Sequence, residues 1–283
     1  MKKSATMKSI ILCADDYGQN TAISQAIIAL LKEKKLSATS CMTNAPGWLT
    51  QAAWLAPYQS QADVGIHLNL TEGKPLSAIF RESYGDSFPS LITLLKKCYL
   101  RQWDPSIIYA ELNTQLDQFI AGVGRLPDFI DGHQHVHHFP LIRNVVLKLY
   151  EGRLRAAHSY VRTVNDATAW RRFADSTYLK RLIIQFSGAY LFKKQLVQLK
   201  IPHNTSFSGI YDFNPATDYA ALFACFLHES KEGGLIMCHP GFSQSKGQDK
   251  ISVARSHEYQ YFQSEKFNAL CQQCDVNIVR FNN

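Results

Sequence analysis

Asp63-Val64-Gly65-Ile66-His67-Leu68-Asn69 reads as a strand with two unlike faces. Side chains alternate across a strand, so Val64, Ile66 and Leu68 share one face while Asp63, Gly65, His67 and Asn69 share the other. In a barrel strand the apolar face meets the surrounding helices and the polar face looks inward. Similar short, apolar, β-rich runs recur at Ser9–Ala14, Ala38–Thr43, Asp128–Asp131, Tyr160–Val164, Thr205–Ile210, Gly234–Cys238 and Val276–Phe281, separated by segments of helical character. Alternating strands and helices predict an α/β fold with a parallel sheet. About eight strands favour an irregular, TIM-like (β/α) barrel, with a doubly wound open sheet as the second reading.

The chain has 283 residues, of which 46% are apolar and 19% charged, enough to bury a large core. One barrel domain spanning residues 1–283 is expected, with insertions at 70–127 and 165–203. The net charge of +7 raises nucleic acid, an anionic membrane or an acidic substrate as partners. No arginine-rich tail or nucleic-acid motif concentrates that charge, so nucleic acid is excluded. The seven cysteines are odd in number and scattered, which fits reduced thiols in a cytoplasmic protein. Cys271-x-x-Cys274 has no second pair and reads as a coincidence of one helix face. Lys2 and Lys3 imitate the start of a signal peptide, but the apolar stretch Ile10–Ala14 runs straight into Asp15-Asp16, so neither export signal nor membrane span is expected.

The stretch from Leu70 to Pro127 is far longer than one connection needs and contains a helical-looking run, Pro105–Ala121. It reads as an insertion over the functional face, with Arg101 and Trp103 expected to shape the pocket. A second long segment, Asn165–His203, alternates Arg171, Arg172, Lys180, Arg181, Lys193 and Lys194 with apolar residues. Outer helices with solvated basic faces are the plain reading; contact with a membrane or a lipid-linked substrate is the sharper one.

The unusual residues cluster where predicted strands end. Asp15-Asp16-Tyr17-Gly18 closes the first run, His67-Leu68-Asn69 the third, Asp131-Gly132-His133-Gln134-His135-Val136-His137-His138 the fourth, and His239-Pro240-Gly241 the seventh. In a (β/α) barrel these ends converge on one face, where active sites form. Capping the helix near Thr21 would use one carboxylate at most, and two adjacent acids repel unless a cation or shared proton intervenes. A lone His67 would more often be structural, but its inward parity and the neighbouring clusters favour a ligand role. The four histidines of His133–His138 exceed what packing asks for, and two imidazoles with one carboxylate make a metal site with open positions. Not all four can bind one ion; some should contact substrate, and His138 beside Phe139-Pro140 suits packing.

With these motifs in hand, the sequence resembles the YdjC-like family of carbohydrate deacetylases, which includes chitooligosaccharide deacetylases. The matching stretches are Ala14–Gly18, Gly65–Leu76, Asp131–His137 and Met237–Phe242, in family order. The resemblance implies an irregular barrel holding one divalent ion, magnesium or zinc, through Asp16, His67 and His133. It implies Asp15 as base and His239, protonated at rest, as general acid; Asn69, His135 and His137 are assigned to substrate. The implied reaction removes an acyl group, acetyl first, from an N-acylated amino sugar or its oligosaccharide or lipid-linked conjugate. A metallo-phosphoesterase and a non-catalytic carbohydrate-binding or regulatory protein are the rival readings, and a homo-oligomer is left open.

Overall fold

The computed structural model describes residues 7–164, 185–243 and 249–281. Among the described residues eight strands form one parallel sheet: β1 (Lys8–Tyr17), β2 (Ala38–Cys41), β3 (Asp63–Leu68), β4 (Phe129–Gly132), β5 (Tyr160–Val161), β6 (Phe207–Ser208), β7 (Gly234–Cys238) and β8 (Val276–Ile278). Their order is β5-β4-β3-β2-β1-β7-β6, with β8 pairing the start of β1 at Lys8–Ile10. All eight expected runs are strands, although β5 and β6 are each cut to two residues. The sheet curls into an irregular (β/α) barrel. At the seam β5 meets the segment before β6: Val161 N donates to Pro202 O at 2.9 Å, and Val161 bridges His203.

The two-faced reading of β3 holds for the whole barrel. Ile10, Leu12, Ala14, Val64, Ile66, Leu68, Ile130 and Ile236 pack outward in the core shared with the helices. Ile11, Cys13, Phe129, Tyr160, Phe207, Leu235 and Met237 form a separate core inside the barrel. Its floor is a stack in which Tyr160 lies 4.9 Å from Phe129 and 4.1 Å from Phe281 between ring centroids. At the bottom of β3, Asp63 binds Arg280 Nε at 2.7 Å and the Phe281 amide at 2.8 Å, tying the end of the chain beneath the sheet. Gly65 is inside the barrel because nothing larger fits: a Cβ there would lie 2.4 Å from the Phe129 ring.

The long connection after β3 forms helices at Ala78–Tyr84, Leu91–Tyr99 and Pro105–Val123. Trp103 does not shape the pocket as expected. It is buried within the insertion, stacked on Phe80 and edge-on to Tyr84, with Nε1 donating to Leu94 O at 3.4 Å. Arg101 lies outside the pocket lining too, at a left-handed backbone position. An insertion of this size must bury apolar surface of its own, and its largest aromatic serves that need. Of the basic segment, Arg171, Arg172, Lys180 and Arg181 lie outside the described residues; Lys193 and Lys194 sit on the helix Tyr190–Gln198. Among the described residues no helix is long and apolar enough to cross a membrane.

Gly65→Ala should therefore cost about 1–3 kcal/mol through overpacking against Phe129, seen as a lowered urea midpoint with unchanged slope. Trimming the ring in Gly65→Ala/Phe129→Leu should return part of the loss. A midpoint equal to wild type in the single variant would contradict this packing.

Candidate active site

Neighbouring residues on a strand point to opposite faces, so Asp15 and Asp16 cannot both look inward from a regular β1. The register of β1 against β2 shifts between Ala14 and Tyr17, and Asp16 takes a left-handed φ of 67°. This bulge turns both carboxylates to the same end of the barrel. There Asp16 Oδ1 lies 3.0 Å from His133 Nδ1 and 3.5 Å from His67 Nε2. One ligand atom from each of these three residues falls within 4.8 Å of the other two.

The opposite end of each side chain is held by a charged partner. Asp16 Oδ2 accepts from Arg255 Nη2 at 2.6 Å, and His67 Nδ1 meets Asp131 Oδ1 at 2.7 Å. His133 Nε2 faces Glu72 Oε1 at 3.1 Å. One oxygen and two imidazole nitrogens thus face a common point, each with a charged partner beside its outer atom, a donor set that suits a catalytic divalent cation. Burial alone would depress both imidazoles, but Asp131 and Asp15 push His67 up to about 10, and Asp16 with Glu72 pushes His133 up to about 9. Burial also opposes ionisation of Asp16, yet Arg255 and His133 hold its carboxyl well below the usual range. Without a metal, protons supply the positive charge at this point; a bound cation would take their place.

Arg162, just beyond β5, is fully buried inside the barrel. Its Nη1 and Nη2 donate to Asp15 Oδ2 and Oδ1 at 2.7 and 2.6 Å, and Nη2 also lies 2.7 Å from Asp131 Oδ2. One guanidinium therefore pairs with both carboxylates and orients Asp15 through two parallel bonds.

His239 follows β7, and its backbone N–H donates to Glu258 Oε2 at 2.5 Å. Glu258 also accepts from the Tyr211 hydroxyl at 2.6 Å. Among the described residues no carboxylate pairs with the His239 ring, which lies edge-on to Phe213 at 5.1 Å. Burial pushes its imidazole down to about 4, which favours the neutral ring.

Asp15, Asp16, His67, His133, His135 and His239 all line one cavity of about 2000 Å³. Two residues assigned to substrate do not reach it. Asn69 is buried and holds the following turn, accepting from the Thr71 and Glu72 amides at 3.0 Å. His137 is wholly buried with Nε2 on Arg162 O at 3.0 Å and its ring against Phe192, so it supports the backbone that carries Arg162. The insertion does furnish part of the wall, through Glu72, Lys74, Leu91, Ile92, Leu95 and Gln118.

Arg162, Arg255, Glu72 and Glu258 were not read from the sequence as site residues. Arg162 carries a faint signal, a charge at an inward position of an otherwise apolar strand; Arg255 and Glu258 share one face of the helix Ser252–Gln263, which looks like any polar helix.

An irregular α/β barrel with an Asp-His-His point at the ends of β1, β3 and β4 defines the class, and the chain belongs to the YdjC-like protein family, whose model matches residues 9–273. The chitooligosaccharide deacetylase of Serratia marcescens is 31% identical over 147 residues, 49% of this chain and 54% of the relative. The carbohydrate deacetylase of Brevibacillus brevis is 34% identical over 148 residues, 50% and 55% of the two chains. The chain thus spans about half the length of the curated relatives it matches. A crystal structure from Enterococcus faecalis V583, of a protein assigned by name to cellobiose-phosphate cleavage, shares the fold: TM-score 0.71 at 20% identity, covering 97% of this chain and 98% of that one.

Burial pushes the Glu258 carboxyl up from 4.5 to about 7. The folded protein then binds a proton that the unfolded chain has lost, so this group's contribution to stability falls as pH rises through that window. Glu258→Gln removes the dependence. Between about pH 4.5 and 7 the variant should gain on wild type by at most ~1.4 kcal/mol per pH unit in urea unfolding. A difference that stays constant across the window would refute the assignment.

Proposed function

We propose that this chain is a metal-dependent carbohydrate deacetylase, hydrolysing the acetamide of an N-acetylated amino sugar to acetate and the free amine. The observation that carries the reading is the convergence of Asp16 Oδ1, His67 Nε2 and His133 Nδ1 on one point of a large cavity that Asp15 and His239 also line. The named activities of the Serratia and Brevibacillus relatives support it. Two imidazoles favour zinc over magnesium as the ion.

An amide is a weak electrophile with a poor leaving group. A divalent ion held by Asp16, His67 and His133 would polarise the carbonyl and favour deprotonation of the attacking water. Asp15, fixed by Arg162, takes the water proton as the hydroxyl oxygen adds to the carbonyl carbon. His239 protonates the departing nitrogen as the C–N bond breaks. Because burial favours the neutral His239 ring, the proton that Asp15 takes from the water is passed through His239 to the departing nitrogen, which returns Asp15 to its ionised form and His239 to its neutral one. The pH profile then owes no alkaline limb to His239.

A two-metal phosphoesterase is disfavoured on the site itself. Asp15, His67 and Asp131 form a second group of ligand type, but Arg162 already stands between its two carboxylates. All seven cysteines are free thiols, which supports a cytoplasmic setting.

His67→Ala should lose bound zinc and turnover together. His239→Asn should keep zinc and lose about 10²–10⁴-fold in kcat, read by metal content and acetate release on a panel of N-acetylated amino sugars. Equal metal loss in both variants would refute these roles. Zinc-loaded protein that binds sugars without releasing acetate would point to the binding module, and phosphate release from phosphate esters to the phosphoesterase.

A further inference from the structure

Glu72 lies in the turn Leu70–Leu76, and the roles above give it no chemistry. Its side chain is 41% exposed, a setting in which a lone carboxylate would sample several rotamers. Here it is pinned. The Glu72 amide donates to Asn69 Oδ1 at 3.0 Å, and its carbonyl accepts from Asn69 Nδ2 at 2.6 Å and Asn44 Nδ2 at 3.0 Å. Glu72 Oε2 accepts from Gln19 Nε2 at 2.8 Å, while Oε1 accepts from Gln134 Nε2 at 3.5 Å and stands 3.1 Å from His133 Nε2 as an ion-pair contact off the hydrogen-bond direction.

Gln19 closes the arrangement into a ring. Its Oε1 accepts from Arg255 Nη2 at 3.2 Å, and the same nitrogen donates to Asp16 Oδ2 at 2.6 Å. Asp16 Oδ1 in turn meets His133 Nδ1 at 3.0 Å. The path Asp16–Arg255–Gln19–Glu72–His133–Asp16 therefore joins two candidate ligands through three residues that are not ligands. An imidazole offers either nitrogen to a metal, and a carboxylate held beside one nitrogen favours the proton there and leaves the other for the metal.

We propose that Glu72 is a positioning residue for the metal centre: by engaging His133 Nε2 from a turn locked by Asn69, Asn44 and Gln19, it commits His133 to binding the divalent ion through Nδ1. The inference rests on Asp16, His67 and His133 as the ligand set. It assigns Asn69 the task of fixing the Glu72 backbone, in place of the substrate contact expected of it.

The test is zinc affinity by chelator competition, with thermal unfolding of the metal-free proteins alongside. Glu72→Ala should weaken zinc binding about 10- to 100-fold with an unchanged metal-free Tm. Glu72→Gln keeps a polar oxygen beside Nε2 and should recover more than half of that loss on a logarithmic scale. Wild-type affinity in Glu72→Ala would overturn the proposal. So would equal losses in both variants, which would make Glu72 a direct ligand, or a fall in metal-free Tm matching the loss, which would make it a fold residue. His67→Ala separates the two levels: if it loses zinc while Glu72→Ala does not, only the role of Glu72 fails; if it binds zinc like wild type, the ligand set fails as well.

Discussion

The structure turns on one buried guanidinium. Arg162 sits inside the barrel with no solvent exposure and holds Asp15 through both oxygens and Asp131 through one. Two carboxylates in such a place would otherwise take up protons or force the barrel open. Buried ion pairs are weak contributors to stability when compared with apolar packing, and removing one partner is far more costly than never having had the pair. What this one contributes is arrangement. With Asp131 kept ionised, held down to about 2, one of its oxygens remains on His67 Nδ1, so that His67 Nε2 points to Asp16. The same guanidinium fixes the plane of Asp15 beside that point.

A second tie comes from the helix Ser252–Gln263. Arg255 and Glu258, three residues apart and so on one helical face, reach two different strand ends. Arg255 clamps Asp16 at the end of β1, and Glu258 anchors the His239 amide after β7. A single rigid element thereby sets the spacing between the candidate metal point and the candidate proton donor. Gln19, Glu72 and the turn behind them complete the frame on the side of β3.

Much of this was legible in the sequence, because it follows from period and position. The eight apolar runs become the eight strands, and the parity of Val64, Ile66 and Leu68 against Gly65 and His67 separates the outer core from the interior. The strand-end motifs meet because parallel strands in a barrel must end on one face. Four features were beyond such reasoning. The bulge that turns Asp15 and Asp16 to one side leaves no trace in residue type, since alternation would set them on opposite faces. Trp103 was read for its chemistry, whereas the insertion needed it as core. Asn69 and His137 neighbour true pocket residues, but their polar atoms are consumed by the turn at Thr71–Glu72 and by the Arg162 carbonyl. Of the partners of the site, Arg162 shows only as a charge at an inward strand position, and Arg255, Glu72 and Glu258 are ordinary charges whose importance lies in tertiary distance.

The most direct measurement is a crystal structure of the zinc-loaded protein with anomalous difference data at the zinc edge. The account predicts one peak, about 2.0–2.2 Å from an Asp16 oxygen, His67 Nε2 and His133 Nδ1, with Arg162 still bridging Asp15 and Asp131. A peak lying between Asp15 and Asp131 with Arg162 displaced, or zinc bound through His133 Nε2, would contradict it.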